Sequence, residues 1–209
     1  MSARVDYLQT SGTFSLDGGT WEVDNNVWIV GDDTECVVID AAHDAAAILG
    51  AVGNRRIVGI LCTHAHDDHI GAVAGLQAVR DAPSYLHPAD AMLWDRVYPD
   101  APPNRPLADG QRIAVAGIEL EVLHTPGHSP GAVCFYVPSF GAVFAGDTLF
   151  AGGPGATGRS FSDFDTIIES IRAKLLTLSE DTVVFTGHGE PTRIGDEAGD
   201  LATWIARGH

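Results

Sequence analysis

Short apolar and alternating runs, closed by glycine and acidic turns, dominate the N-terminal part of the chain. Residues 12–16, 20–23, 26–31 and 35–40 are such runs, separated by DGG, DNN and GDD, and the pattern predicts a β-meander. CVVIDAA reads as a buried strand ending in Asp40. DAAAILGAVG reads as a helix, with Asp44 near its start and Gly53 as its stop. RIVGILCTH is the next strand. Helical spacing returns at 70–80, SYLH reads as a short strand and 89–97 as a short helix. Residues 98–106, YPDAPPNRP, form a proline-rich loop expected at the surface beside a substrate entrance. A second β-rich block follows in QRIAVAGIELEVLHT, GAVCFYV and GAVFAGD. The glycine-rich AGGPGATG then leads to a helix at about 163–178, the strand TVVFTGH and a final helix over roughly 196–206.

Each half therefore runs through a meander, then helix, strand and a histidine-bearing loop. This repetition predicts one domain over residues 1–209, an α/β (α+β) chain with two sheets face to face and helices outside. Composition agrees with a packed core, since 45% of the residues are hydrophobic and 19% charged. The formal net charge of −16 opposes a phosphate backbone, so no nucleic-acid partner is expected. An anionic small substrate stays compatible, because a bound dication reverses the local field. No apolar run reaches spanning length and the first twenty residues hold no continuous apolar stretch, so no membrane partner and no signal peptide are expected. Cys36, Cys62 and Cys134 sit in or beside apolar runs. An odd count in such places predicts buried reduced thiols and a cytoplasmic chain.

The polar residues that interrupt these strands recur at strand ends. CTHAHDDHIGA supplies His64, His66, Asp68 and His69; HTPGHSPG supplies His128; FAGDTLF supplies Asp147; FTGHGEP supplies His188. Five imidazoles and two carboxylates at one sandwich edge suit two adjacent divalent ions, zinc first, with iron equally served by nitrogen and oxygen donors. In an extended segment His64 and His66 point the same way, and the turn into a helix lets Asp68 and His69 face a neighbouring ion. Asp147 has two oxygens with which to bridge. Asp67 is read as a solvated neighbour. His43, His87, His124 and terminal His209 are read as packing or surface residues.

These motifs resemble the metallo-β-lactamase fold superfamily. THAHDDH matches its H-x-H-x-D-H signature, TPGHSPG its second histidine motif, GDTLF its bridging aspartate and TGHG its last histidine. The resemblance runs over nearly the whole chain and implies a four-layer αββα sandwich, the metallo-β-lactamase fold, with a metal site at one edge. By that match His64, His66 and His128 hold a first ion, Asp68, His69 and His188 a second, and Asp147 both. Within the superfamily the chain is more similar to glyoxalase II-like thioester hydrolases. GDTLFAGGPGATGRS and TGHGEPTRIGDE resemble the pattern GDTLF, Gly-Arg, GHG and T-x-I-G-x-E, which places Arg159 and Thr192 to Glu197 in the match. Asp147 stands where many true lactamases carry cysteine or serine.

The resemblance implies hydrolysis of a small-molecule thioester by a metal-activated hydroxide. Catalytic duty then falls to His64, His66, Asp68 and Asp147, with Asp68 also orienting the nucleophile and Arg159 meeting substrate charge. Only 21 residues follow His188, and the helical extension that binds glutathione in longer glyoxalase II enzymes has no counterpart. A different low-molecular-weight thiol is the expected carrier. The nucleic-acid-binding insertions of superfamily nucleases are likewise without counterpart. Three other readings share the pattern. One is a persulfide dioxygenase with a single iron on His64, His128 and Asp147. A second is a lactonase or lactamase, and a third is a non-catalytic metal-binding module.

Overall fold

Alternation at period two organises the molecule. In the computed structural model, which describes residues 2–208, β1 (Arg4–Leu16) and β2 (Gly19–Gly31) form a long antiparallel hairpin. β3 (Glu35–Ile39) continues the meander. After α1 (Ala45–Val52), β4 (Arg56–Leu61) joins β3 in parallel. Two short helices, α2 (Asp67–Ile70) and α3 (Val73–Gln77), precede β5 (Ser84–Leu86). Then come α4 (Ala91–Val97) and β6 (Arg105–Pro106), and the first sheet has the order β1-β2-β3-β4-β5-β6.

The second sheet is built from the rest of the chain. Its antiparallel strands are β7 (Arg112–Val115), β8 (Ile118–His124), β9 (Val133–Val137) and β10 (Ala142–Gly146). A two-stranded ribbon, β11 (Leu149–Phe150) and β12 (Gly153–Pro154), and α5 (Phe164–Ser170) separate β10 from its parallel partner β13 (Val183–Thr186). β14 (Thr192–Arg193) completes the order β14-β13-β10-β9-β8-β7. Helices α6 (Ile194–Ala198) and α7 (Leu201–Arg207) follow.

Neighbouring residues on each strand face different layers. Trp28, Val30, Val37, Ile39 and Leu61 meet Leu120, Val122, Phe135 and Phe144 between the two sheets. The alternate positions Val27, Ile29 and Val38 turn outward onto Ile48, Val73, Leu76 and Trp94 of the first helical layer. Cys134, Val143 and Val184 turn outward onto Ile167, Ile171, Leu175 and Trp204 of the other. The result is the expected αββα arrangement. α1 forms as its sequence predicts, with the Asp44 carboxylate accepting from the Ala46 and Ala47 amides and Gly53 at the end. All three cysteines are free and buried. Among the described residues, no helix is long and apolar enough to cross a membrane.

Several predicted boundaries move. The DNN segment is not a turn: Asp24, Asn25 and Asn26 lie inside β2, and the runs 12–16, 20–23 and 26–31 belong to two continuous strands. Asn25 and Asn26 are buried because their amides find partners across the fold. Asn26 Nδ2 donates to the carbonyls of Thr186 and Gly189, and Asn26 N to that of Gly187. The helix expected at 70–80 begins at Asp67 and breaks at Gly71 and Ala72. The one at about 163–178 passes from α5 into a π-helical turn, Ile171–Leu175. The last is split at Gly199 and Asp200. Loop 98–106 lines no part of the main cavity. It is tied down by Tyr98 Oη donating to Ile70 O and by Trp94 Nε1 donating to Ala101 O. His209 lies outside the described residues.

Candidate metal centre

Four strand ends converge where the sheets meet. His64 and His66 follow β4, His128 lies between β8 and β9, Asp147 follows β10 and His188 follows β13. Asp68 and His69 sit in α2, which starts directly after His66. Main-chain bonds across the edge hold these ends together: Val133 N donates to Thr63 O at 2.8 Å, and Gly187 N to Gly146 O at 2.8 Å. Gly187 is required by proximity, since a Cβ there would run into Asp147 Oδ1 and the ring of His69.

All seven strand-end residues singled out from the sequence come together. His64 Nε2 lies 3.0 Å from His66 Nδ1, and His128 Nε2 lies 3.1 Å from the same atom. Beside this trio, His69 Nε2 and His188 Nε2 are 3.2 Å apart, and Asp68 Oδ2 is 3.4 and 3.3 Å from them. The Asp147 carboxylate spans both groups: Oδ1 is 3.4 Å from His69 Nε2, while Oδ2 is 3.4 Å from His188 Nε2 and 3.6 Å from His128 Nε2. The donor atoms of His64, His66 and His128 lie within 4.8 Å of one another, as do those of Asp68, His69 and His188 and those of His64, His69 and Asp147.

Outer hydrogen bonds fix which nitrogen faces inward. His128 Nδ1 meets Ala156 O at 2.8 Å, and His188 Nδ1 meets Asp24 O at 2.7 Å. A carbonyl only accepts, so both Nδ1 atoms carry a proton, and in the neutral rings both Nε2 atoms present lone pairs inward. His69 Nδ1 donates likewise to Asp40 Oδ2 at 3.0 Å. Thr63 Oγ1 gives its proton to Asp40 Oδ2, so it accepts from His64 Nδ1 at 3.1 Å. In their neutral form four imidazoles are thus held as inward acceptors, and the facing Nε2 lone pairs of His69 and His188, 3.2 Å apart, repel unless a cation lies between them. His66 Nε2, Asp68 Oδ1 and Asp147 Oδ1 are buried with no hydrogen-bond partner.

The electrostatics match. Burial, with His69 and His66 nearby, drives the His64 pKa well below its ordinary value, and burial with His128 takes His66 down to about 3. These rings are neutral. Burial also opposes charge on His69 and His188, but Asp68, Asp147 and Asp40 outweigh it at His69, and Asp147 and Asp68 raise His188 to about 10. The centre draws positive charge. With a divalent ion in place of the protons on His69 and His188, this mixed set of imidazoles and carboxylates fits a borderline cation.

Four residues that the motifs did not point to support the centre. Asp40, with a left-handed backbone (φ 54°), orients His69 and Thr63. Asp90 is fully buried and accepts from Ala65 N, Ser129 Oγ and Gly131 N at 3.0, 2.7 and 2.5 Å. Asn25 donates to Asp68 and is itself met by His43. Each is a single polar residue in an apolar or turn-like stretch, and the only signal is that a buried polar group must find a partner.

A cavity of about 240 Å³ opens above the centre, lined by Phe14, Leu16, Trp21 and Val23 of the first hairpin and by Ala156, Arg159, Ser160 and Ser162 opposite. The Arg159 guanidinium lies over the Trp21 ring at 3.8 Å. The segment Thr192 to Glu197 lies away from the cavity. Thr192 Oγ1 donates to Glu197, whose other oxygen accepts from Gly152 N, so it anchors the β11–β12 ribbon. His87 and His124 stack on each other at 4.0 Å and do not line the cavity.

Fold and donor set together define a metal-dependent hydrolase class. The family model of the metallo-beta-lactamase superfamily matches residues 20–188, and the chain belongs to that superfamily. It is 36% identical to the "probable metallo-hydrolase YqgX" of Bacillus subtilis over 183 residues, covering 81% of this chain and 87% of that one. It is 32% identical to "hydroxyacylglutathione hydrolase GloC" of Haemophilus influenzae over 184 residues, covering 79% and 85%. Among solved structures, TTHA1623 in a di-iron-bound form superposes with a TM-score of 0.72 at 36% identity, covering 90% of this chain and 96% of that one.

Proposed function

We propose that the chain hydrolyses the thioester of a low-molecular-weight thiol, and that His64, His66, Asp68, His69, His128, Asp147 and His188 hold two divalent ions in the arrangement the motif match implies. The observation that carries the metal assignment is the convergence of three groups of His and Asp donor atoms, with the Nδ1 atoms of His69, His128 and His188 tied to outer acceptors so that their Nε2 atoms face inward. Thioester cleavage is supported by the 32% identity to a hydroxyacylglutathione hydrolase. Zinc and iron both suit the donors, and a 36% identical neighbour carries iron.

Bound metal would supply a Lewis acid for the thioester carbonyl and lower the pKa of a water towards ~7. The residues do the rest. Asp68 Oδ1, buried and without a partner, accepts a proton of the attacking water and orients its lone pair towards the carbonyl carbon. The water oxygen bonds to that carbon, the carbon–sulfur bond breaks, and sulfur keeps the electron pair. Its thiol pKa is ~8.5, so thiolate leaves without a dedicated acid. Phe14, Leu16, Trp21 and Val23 give an apolar wall to the acyl and thiol stems. Arg159, stacked on Trp21, offers its N–H edge to an anionic group on the carrier.

The test pairs metal content of protein purified without added metal with thiol release across a thioester panel. Turnover should accompany bound zinc or iron. His66→Ala and Asp147→Ala should lose both turnover and metal. A loaded wild-type protein that releases no thiol, or a metal-depleted variant at wild-type rate, overturns the reading. Oxygen uptake with a persulfide, absent hydrolysis, would replace it with the dioxygenase.

A further inference from the structure

Asp68 is held from behind by a short chain of side chains that reaches out of the centre. Asn25 Nδ2 donates to Asp68 Oδ2 at 2.9 Å, in a buried contact. A carboxylate cannot donate, so the amide must turn its NH2 to Asp68 and its carbonyl oxygen the other way. That oxygen meets His43 Nε2 at 2.8 Å. His43 must therefore carry its proton on Nε2. His43 is itself locked in place. Its backbone is left-handed (φ 52°), and the turn is closed by Asp44 N donating to Ala42 O at 2.7 Å. Its ring lies against Gly12 on β1, where any Cβ would overlap the imidazole.

From this geometry we infer that His43 and Asn25 are positioning residues for Asp68, fixing its carboxylate rotation so that Oδ2 serves the His69–His188 group and Oδ1 faces the reaction. The inference rests on the role assigned to Asp68 above. The logic is one of donors and acceptors. Without His43 the buried Asn25 oxygen loses its donor, the amide swings towards another partner, and Asp68 Oδ2 loses the N–H that fixes its rotation. Gly12 belongs to the device because it makes the seat for the ring. Neither His43 nor Asn25 lines the cavity, so substrate binding should not feel them.

Three measurements test this. First, ¹⁵N NMR of the metal-loaded wild-type protein should show His43 as the Nε2–H tautomer, a readout independent of activity. Second, His43→Leu and Asn25→Asp should lower kcat by about 10- to 100-fold and weaken retention of the second metal against a chelator, with KM within about twofold. Third, His43→Gln places an amide N–H where Nε2 stood and should recover most of the lost kcat. Gly12→Ala should imitate His43→Leu without touching either polar residue. An Nδ1–H tautomer, or His43→Leu with wild-type kcat and metal retention, overturns the inference. So does a His43→Gln variant no better than His43→Leu. If a variant does not fold, the wild-type tautomer still decides. If the wild type hydrolyses no thioester, the proposed reaction fails while the tautomer and metal-retention results still judge the positioning chain.

Discussion

Asp90 shows how one side chain can hold a centre it does not line. Its two oxygens take the Ala65 amide, which lies between His64 and His66, and the Ser129 hydroxyl and Gly131 amide, which follow His128. Burial raises its carboxyl pKa, while these three donors and His128 pull it back. Asp90→Asn replaces one acceptor oxygen with a donor that confronts another donor. The expected cost is about 1–3 kcal/mol, read from urea unfolding midpoints, with reduced metal content at equal protein. An unchanged midpoint would mean that the loops are held by something else. Residues such as Asp90 and Asp40 were not legible in the sequence, because each acts through one tertiary contact and leaves no spacing pattern. The seven strand-end residues were legible for the opposite reason. Four of them crowd into six positions of CTHAHDDHIGA, and the rest recur directly beyond apolar strands, a concentration of polar groups that neither core packing nor turn formation requires.

Elements were readable where local physics decides them and misread where distant partners do. α1 has its cap, its apolar face and its glycine stop within ten residues, and it forms there. The DNN segment has turn chemistry, but buried acceptors on the far sheet and in the metal centre satisfy the two asparagine amides and keep β2 straight. The GDD turn is real and depends on Asp32. Its Oδ1 accepts from Thr34 Oγ1, Glu35 N and Thr34 N, which together lower its pKa to about 2. The folded pKa lies below the unfolded value of ~3.9, so the turn's contribution is complete above about pH 4 and is lost as pH falls towards 2. The stability difference between wild type and Asp32→Asn should therefore shrink as pH drops through that window. Urea midpoints at several pH values check it. A difference that stays constant to pH 2 would mean that the carboxylate charge contributes nothing.

At the scale of the whole molecule, the centre lies across the seam of the two sheets. The half built around β1–β6 supplies His64, His66, Asp68 and His69, and the half around β7–β14 supplies His128, Asp147 and His188. The sequence repetition pointed to two similar halves but not to how they dock. That depends on cross-sheet contacts such as Trp28 Nε1 to Thr186 O at 3.0 Å. Under the proposed ligand assignment, metal binds only where both halves are folded and docked, so it should stabilise the native state by mass action. A free metal concentration of 100 Kd corresponds to about 2.7 kcal/mol per site. Removing metal with a chelator should lower Tm, and adding zinc or iron back should restore it in a concentration-dependent way. Asp147 touches both groups, so Asp147→Asn should blunt that response more than His188→Ala, which removes a donor from one group alone. A Tm indifferent to chelation would contradict a metal held across the seam.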